Sequence, residues 1–542
     1  MQKTRSSVPV TTLLLLTVLL APAARADAAA PAIGSSASGG TDAKAGAQEN
    51  YFDIHEYRVL GNTVLPNREI ESTLYPLLGD HKTLKDVESA RAALEKTYHD
   101  RGFGTVFVDI PEQDVSERIV RLKVTEGRLN EVRIAGARYF SERKILAAVP
   151  AAAAGTVPNL PALQDQLSAV SIQSADRTVV PILKAGPAPG TVDLSLKVDD
   201  HLPFHGSIEL DNQNTPDTKP LRSTVSLSYN NLFQNLDSLS VQYQAAPQDV
   251  GQVSVIAANY AWGALPREVH PSLLFINSNS NVPTASTLGV LGKGQVIGTR
   301  LAFWLGAVPS ALQSLTLGAD YKHFDQTIAV AGASPVATPI SYTNLSLAYS
   351  GTWASEVLTG YLGTTANFGP RGLPNSPTEF ADKCFQCQPN YFYLKLDGSL
   401  LLHLPKGFQV TVRADGQYAV EPLIVNEQFS LTGADGVRGY LESEVLADKG
   451  LKGSVQLQSP VAHVHKVDLG DFFVFYDAGR ANEIDPLGGQ PASTALSSWG
   501  AGVQVLPNYW FNGSLTWAYP LRNGPVTQSG DSRFLFVVRG AF

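Results

Sequence analysis

The sequence predicts a transmembrane β-barrel of about 16 antiparallel strands, preceded by two small α+β domains. Three observations predict it: an export signal at the N-terminus, a low content of charged residues, and an alternation of apolar and polar residues from 202 to 542. Only 17% of residues are Asp, Glu, Lys or Arg, against about 25% in ordinary globular chains. A barrel has this composition because small polar residues line its lumen. The net charge of -8 gives no reason to expect a nucleic-acid partner.

The N-terminus has the order of a secretory signal peptide. Lys3 and Arg5 precede an apolar run, residues 10–21, and the small-residue site Ala24-Arg25-Ala26 follows. The run is shorter than the ~20 apolar residues of a membrane-spanning helix, so we predict that residues 1–26 are removed on export. Residues 27–50 are rich in Ala, Gly and Ser and are predicted to form a flexible segment.

Two similar units follow, residues 51–126 and 127–201, each predicted to have the order β-α-α-β-β. In the first unit a strand over 52–59 ends at the turn Gly61-Asn62. A short helix then begins near Pro66, and a longer helix runs from its cap Thr83 to Gly102. The closing strands are predicted over 105–110 and 118–124 in the first unit, and over 177–185 and 191–198 in the second.

Neither unit contains a nucleophile beside a base, a cluster of metal ligands or a phosphate-binding loop, so we predict no catalytic residues, no metal and no cofactor. The chain is therefore predicted not to be an enzyme. Each unit is predicted to form a small sheet with an exposed edge, and such an edge can add an extended strand from another chain. We expect the partner strand to bind along 178–184 or 191–198.

From residue 202 the alternation has a period of two, as in barrel strands. Residues 224–229 illustrate it, because Val225, Leu227 and Tyr229 alternate with small hydroxyl residues. The final strand places Phe534, Phe536, Val538 and Phe542 on one face. A soluble β-sandwich is the alternative, but it would rarely contain so many strands. Strands are predicted to start near 207, 222, 237, 252, 270, 297, 313, 339, 355, 391, 407, 452, 470, 496, 509 and 532, with those near 270 and 297 the least regular.

The chain has two cysteines, Cys384 and Cys387, spaced as C-x-x-C. A second Cys pair, which a four-ligand zinc site would need, does not occur in the sequence. The export signal indicates an oxidising compartment. We therefore predict a disulfide in an exposed loop, with two free thiols as the alternative.

Asp477 is predicted to face the lumen of the barrel. In residues 470–481 it shares one face with Phe475 and Gly479, while the other face is apolar and suits lipid. A carboxylate on a barrel wall needs a partner, and Gly479 leaves room for a long side chain. Arg438, in a Gly-rich loop, can bind a carboxylate through two parallel hydrogen bonds. On spacing alone, an Arg438 in solvent and an Asp477 paired elsewhere are equally open.

These residues carry a resemblance to a known family. The motif Val437-Arg438-Gly439-Tyr440 in a long loop, followed by Phe475-x-Asp477-x-Gly479 on a strand two along, resembles the paired motifs of the outer-membrane protein translocation and assembly superfamily. The two preceding units resemble its polypeptide-transport-associated (POTRA) domains. Two such domains, with eleven strands before the loop and five after it, are similar to the two-partner secretion transporters of the hemolysin secretion/activation type. The start of the barrel, with Asn212 and residues 231–237, also resembles theirs.

The resemblance implies a location and a function. The barrel (202–542) lies in outer-membrane lipid with POTRA domains 51–126 and 127–201 in the periplasm, and the loop at about 431–450 folds inward with Arg438 docked on Asp477. A monomer captures one large secreted exoprotein, such as an adhesin or hemolysin, and moves it unfolded to the cell surface without ATP. An outer-membrane assembly factor is an alternative, although such factors usually carry three or more POTRA domains.

A passive porin is less favoured, because it would leave the POTRA domains without a role. Many such transporters close the pore with an N-terminal helix. Residues 27–50 contain Pro31, Gly34, Gly39 and Gly40, which are poor helix formers, so a plug is not expected here.

Overall fold

The structure is a computed structural model that describes residues 51–542 except 217, 264–268, 281–291, 306–310, 329–335, 465–466 and 509. The predicted signal peptide, 1–26, and the predicted flexible segment, 27–50, lie outside the described residues. The chain divides into two compact units, one ending at Pro203 and one spanning Phe204–Phe542. None of the helices in the described part of the chain is both long enough and apolar enough to cross a membrane.

The first unit begins with the first repeat. Its elements are β1 (Phe52–Ile54), β2 (Glu56–Leu60), α1 (Asn67–Leu74), β3 (Gly79–Lys82), α2 (Leu84–Asp100), β4 (Val106–Asp109) and β5 (Ile119–Glu126). The strand predicted over 52–59 is divided at His55, because β1 pairs with β3 whereas β2 pairs with β5. The three-stranded sheet has the order β2-β5-β4.

Helix α2 starts and ends at the predicted residues. The Thr83 backbone N–H and hydroxyl both donate to the Asp86 carboxylate at 2.8 Å, which closes a capping box and lowers the pKa of Asp86. Gly102 follows the helix with a φ of +91°, and a Cβ there would lie 2.7 Å from the Pro161 side chain. A glycine is therefore needed for both conformation and space.

The second repeat comprises β6 (Arg128–Ala135), α3 (Glu142–Ala147), α4 (Leu160–Ile172), β7 (Arg177–Ala185) and β8 (Thr191–Asp200). Its sheet has the order β6-β8-β7. Strand β8 therefore has a partner on both sides, and the expectation that residues 191–198 offer a free edge is wrong. Only β6 and β7 are edge strands of this sheet.

The free edge of β7 is also engaged, in part by the long helix of its own repeat. The Val179 N–H donates to Ser171 Oγ at 3.2 Å, and Pro181, two residues on, has no N–H. Strand β4 in the first repeat is similar, because the Val108 N–H donates to Glu95 Oε2 of α2 at 3.0 Å. Side chains and a proline blunt exposed edges in this way, so addition of a partner strand would have to displace them.

The second unit is a closed barrel. Its elements in chain order are β9 (Phe204–Asp211), β10 (Arg222–Leu232), β11 (Asp237–Ala245), β12 (Ser254–Ala261), β13 (Val269–Ser280), β14 (Gly292–Trp304), β15 (Ala311–Ile328), β16 (Val336–Ala354), β17 (Leu358–Phe368), α5 (Pro377–Lys383), β18 (Phe392–His403), β19 (Gln409–Ala419), β20 (Phe429–Ser430), β21 (Leu446–Ala447), β22 (Lys449–Gln458), β23 (Ala462–Val464), β24 (Val467–Asn482), β25 (Ser493–Asn508), β26 (Phe511–Pro520) and β27 (Arg533–Ala541).

The barrel wall has 16 strands, which confirms the predicted fold class. Strands β9 to β19 precede the long loop, and β22 with its short continuation β23, then β24 to β27, follow it. The two strands predicted least securely are present as β13 and β14. Strands β20 and β21 pair only with each other, inside the loop. Because neighbouring strands are antiparallel, this loop lies at the end of the barrel opposite to residue 204.

The barrel closes between its first and last strands, β9 and β27. Near the end of β27, Phe542 and Gly206 exchange backbone hydrogen bonds of 2.9 and 3.0 Å. Beyond the other end of the pairing, the Asn212 amide donates to the Phe534 carbonyl at 2.7 Å and accepts from the Phe536 N–H at 2.9 Å. The Asn212 side chain thus continues the ladder after β9 has ended.

Candidate functional site

The candidate site is the lumen loop, residues 420–448, which connects β19 to β22. The loop folds back into the barrel, because Val437 and Tyr440 near its tip are 0% and 1% exposed. They pack with Ala481 and Leu496 of the wall. The inward-folded segment predicted at about 431–450 is the second part of this longer loop.

Arg438 lies against Asp477 of β24. Its Nε donates to Asp477 Oδ2 at 2.7 Å and its Nη2 donates to Oδ1 at 2.8 Å. The backbone N–H of Arg438 adds a third hydrogen bond to Oδ2 at 3.1 Å. Two parallel bonds between a guanidinium and a carboxylate fix orientation as well as distance.

Three more side chains of the wall complete the surroundings of Arg438. Its Nη1 donates to Gln456 Oε1 and its Nη2 to Ser454 Oγ, both at 3.0 Å. The guanidinium carbon lies 3.4 Å from the centroid of the Phe475 ring, which allows a cation–π contact. In the β22–β24 pairing Ser454 is opposite Asp477 and Gln456 is opposite Phe475. We call these five residues, Arg438, Ser454, Gln456, Phe475 and Asp477, the Arg438 anchor.

The Arg438 anchor is largely shielded from water. The side chain of Asp477 is 0% exposed and that of Arg438 is 14% exposed. A buried carboxylate is costly unless it is paired and hydrogen-bonded, and here its two oxygens share three bonds from one residue. A small polar cavity lined in part by Asp415, Lys452 and Arg438 adjoins the anchor, so the shielding is incomplete on that side.

The other residues of the motif, Val437, Gly439 and Tyr440, hold Arg438 against the barrel wall. Gly439 has a φ of +98°, and a Cβ there would lie 3.2 Å from Pro520 Cγ, so this position favours glycine. The Tyr440 hydroxyl donates to the Arg522 carbonyl at 2.7 Å, while the buried Val437 donates its N–H to the Leu431 carbonyl at 3.0 Å. The motif is therefore held on both sides of Arg438.

Gly479 has a different role from the one its position suggested. A Cβ at Gly479 would lie 2.5 Å from Leu431 Cδ1. The space that it leaves is thus used by Leu431 of the lumen loop, and not by Arg438.

A second contact set, absent from the predicted site, holds the beginning of the lumen loop. Glu427 Oε1 accepts from Lys322 Nζ of β15 at 2.6 Å and from the Tyr342 hydroxyl of β16, and Oε2 accepts from the Tyr393 hydroxyl of β18 at 2.6 Å. All four residues are buried. We call Glu427, Lys322, Tyr342 and Tyr393 the Glu427 anchor. The one signal in the sequence is Lys322, a charged residue on the inward face of its strand.

Gln417, near the end of β19, joins the two ends of the lumen loop. Its side-chain amide donates to the Glu427 carbonyl at 2.9 Å and to the Asp448 carbonyl at 3.2 Å. The Asp448 carboxylate in turn accepts from the Leu423 N–H at 2.8 Å. The segment between 427 and 448 is thereby closed at its base.

Cys384 and Cys387 are joined by a disulfide in the connection between β17 and β18. Cys387 is only 4% exposed, so the expectation of an exposed loop is wrong for this residue. The preceding helix, α5, buries Phe380 against Tyr342 and Tyr391, with ring centroids 5.6 and 6.0 Å away. Cys387 belongs to the same buried cluster and Cys384 packs against it.

A group of three potential metal ligands, Asp53, His55 and Asp80, occurs on the surface of the first unit. His55 Nε2 lies 3.7 Å from Asp80, and Arg118 lies 3.6 Å from Asp53. A neighbouring guanidinium disfavours cation binding, so this group carries no argument for a metal site. The geometry of the lumen site, by contrast, serves to hold a loop on a wall.

Comparisons with known proteins agree with this architecture. Residues 190–505 match the model of the haemolysin secretion/activation protein ShlB/FhaC/HecB, and residues 52–127 match that of the ShlB-type POTRA domain. The outer membrane transporter CdiB of Dickeya dadantii is 24% identical over 488 residues, 87% of this chain and 83% of that protein. The heme/hemopexin transporter protein HuxB of Haemophilus influenzae strain 86-028NP is 22% identical over 415 residues, 74% of this chain and 71% of that protein.

Solved structures share the fold. CdiB from Escherichia coli superimposes with a TM-score of 0.57 at 19% identity, covering 93% of both chains. BamA from Haemophilus ducreyi lacking POTRA domains 1-3 superimposes with a TM-score of 0.56 at 12% identity, covering 91% of this chain and all of that chain.

Proposed function

Because this chain belongs to the haemolysin secretion/activation protein ShlB/FhaC/HecB family and is thus a two-partner secretion transporter of the outer membrane, we propose that it moves one large exoprotein unfolded through its barrel. The POTRA region faces the periplasm, so the lumen loop is at the extracellular end. Transport proceeds without ATP and the chain itself carries out no enzymatic reaction. A monomer in outer-membrane lipid suffices, because the barrel closes on itself.

The Arg438 anchor carries the proposal for the mechanism. The lumen loop occupies space that a translocating chain needs, and non-covalent contacts hold it on the wall. The two parallel hydrogen bonds between Arg438 and Asp477 return the loop to the same docked position each time it is released. They do so because the guanidinium and the carboxylate fit together in one orientation. The docked loop defines the resting state, and its displacement and return accompany passage of the exoprotein.

The POTRA region captures the exoprotein before transport. Capture along the edge of β7 is disfavoured, because Ser171 already accepts the Val179 N–H at 3.2 Å and Pro181 has no N–H. We assign capture to side chains on the exposed face of the sheet, where Val180 and Ile182 are 55% and 39% exposed. Exposed apolar side chains of this kind are suited to binding an unfolded chain.

The test compares proteins at the cell surface and in the medium for the native bacterium, a deletion strain and the complemented strain. We expect one large protein to disappear on deletion and to return on complementation with the wild-type chain. Complementation with Arg438→Ala should leave it largely absent, whereas Arg480→Ala, at an exposed position of β24, serves as a matched control and should restore it.

Two results would contradict the proposal. Depletion of many unrelated barrels from the outer membrane would indicate an assembly factor. An unchanged set of surface and medium proteins, with altered uptake of small solutes, would indicate a porin.

A further inference from the structure

The beginning and the tip of the lumen loop are attached to different parts of the barrel wall. Glu427 contacts β15, β16 and β18, whereas Arg438 contacts β22 and β24. We propose that Glu427 is a second positioning residue of the transporter, which holds residues 420–427 on the wall independently of Arg438. The inference rests on the proposed role of the lumen loop in transport.

The apolar packing of the loop is divided in the same way. Leu423 and Ile424 pack with the aromatic residues around α5, among them Phe380 and Tyr391. Val437 and Tyr440 pack in a separate cluster with Ala481 of β24 and Leu496 of β25. The two anchors therefore lie next to two separate clusters of buried side chains, with no residue in common.

The wall itself requires Glu427. Lys322 belongs to a row of laterally paired positions that is otherwise uncharged and mostly apolar. The row is Ala257, Ile276, Val296, Lys322 and Tyr342. Lys322 is 8% exposed, and a buried ammonium needs an opposite charge. Glu427 supplies that charge from the loop at 2.6 Å, so the loop must be seated for this row to be neutral.

The carboxylate of Glu427 uses both of its oxygens. The hydroxyls of Tyr342 and Tyr393 both donate to Glu427, one to each oxygen, and the Lys322 ammonium is a donor only. A glutamine of the same shape offers one acceptor oxygen and no charge for this ammonium. Glu427→Gln therefore removes the charge and one acceptor without a change of volume.

The experiment uses the full chain in vesicles with single cysteine reporters, Ile424→Cys or Val437→Cys, and a membrane-impermeant maleimide. The native residues at these positions are 1% and 0% exposed. Glu427→Gln should raise the labelling rate at 424 about tenfold or more and leave the rate at 437 nearly unchanged. Arg438→Ala should do the reverse. The native disulfide does not react with the probe, and Glu356→Gln, in the exposed turn between β16 and β17, is the matched control.

A rescue separates positioning from general damage. Glu427→Gln leaves a buried lysine unpaired, so adding Lys322→Met should restore most of the protection at 424. Heat-modifiable migration in gel electrophoresis checks that each variant has a folded barrel, and Lys322→Met alone provides a second test if Glu427→Gln does not fold. Two outcomes would overturn the inference. One is a labelling rate at 424 that is the same with Glu427→Gln as without it. The other is an equal rise in labelling at 424 and at 437 with either Glu427→Gln or Arg438→Ala. Labelling is independent of secretion, so normal secretion by Arg438→Ala would contradict the proposed role of the lumen loop in transport without deciding this result.

Discussion

Replacing Arg438 by alanine is expected to undock the tip of the lumen loop while the barrel still forms. The substitution leaves the Asp477 carboxylate, which is 0% exposed, without the side chain that donates two of its hydrogen bonds. The third, from the backbone N–H of residue 438, remains available but is no longer held in place by the fork. Loss of one partner of a fully buried ion pair costs about 3–5 kcal/mol. The polar cavity beside Lys452 and the partial exposure of Arg438 let water reach the site, so we expect about 2–3 kcal/mol.

A change of about 2–3 kcal/mol raises the undocked population roughly 30- to 150-fold. Arg438→Lys retains the charge but cannot form the fork or reach Ser454 and Gln456 together, so it should rescue poorly. Asp477→Ala should resemble Arg438→Ala. The double variant should be little worse than either single variant, because both remove the same contact.

The assay measures the exoprotein in the medium against the amount of this chain in the outer membrane. We expect a sharp fall in secretion for both alanine variants at near-normal amounts of folded barrel. If the two losses simply add, or if lysine supports secretion as well as arginine does, then Arg438 and Asp477 do not act as partners and the reasoning fails.

Four further predictions follow from other contacts. Gly439→Ala should undock the loop by about 1–3 kcal/mol, because its φ of +98° is strained for alanine; Gly453→Ala in β22 is the control, and equal secretion by both would contradict the role given to Gly439. The purified protein should show no free thiol until it is reduced, and Cys384→Ser with Cys387→Ser should secrete normally; complete loss of secretion would contradict a purely structural disulfide. Asn212→Ala should lower the thermal unfolding temperature of the barrel, since it removes two hydrogen bonds worth about 1 kcal/mol each at the seam; an unchanged temperature would show that the seam does not limit stability. The N–H of Leu183 faces the free edge of β7, and Leu183→Pro, which removes it, should weaken exoprotein binding no more than Leu183→Ala does. A loss of binding seen only with proline would instead indicate strand addition.

The barrel was predictable because its alternation is a local property of the sequence. The small hydroxyl residues opposite Val225 and Leu227 give the period directly, and the predicted strand starts fall close to the observed ones even for β13 and β14. The strands of the two repeats were less predictable. Residues 191–198 look like an edge strand in sequence, but strand order within a sheet depends on non-local pairing, and β8 lies in the middle.

The candidate site was predictable only in part. Arg438 is the one basic residue within 431–445, and Asp477 follows a run of aromatic and apolar residues on its strand, so a pairing between them could be anticipated. Ser454 and Gln456 could not be, because small polar residues occupy most lumen positions. Glu427 was missed because its partner Lys322 is 105 residues away, and only the register of β15 to β18 brings them together. The contact of Gly479 with Leu431 could not be predicted, because it depends on how the lumen loop folds against the wall.

The double hydrogen bond from Gln417 has a consequence for how the transporter resets. Because one side chain binds the carbonyls of Glu427 and Asp448, a displaced loop tip remains tethered at its base and its effective concentration at the wall stays high. Closing a short loop of this kind takes well under a microsecond, of order 10–100 ns for ten residues, and the entropic cost grows slowly with length. In the proposed mechanism the tip can therefore rebind as soon as the last residue of the exoprotein has left. Recovery of the resting state then requires no input of energy beyond thermal motion.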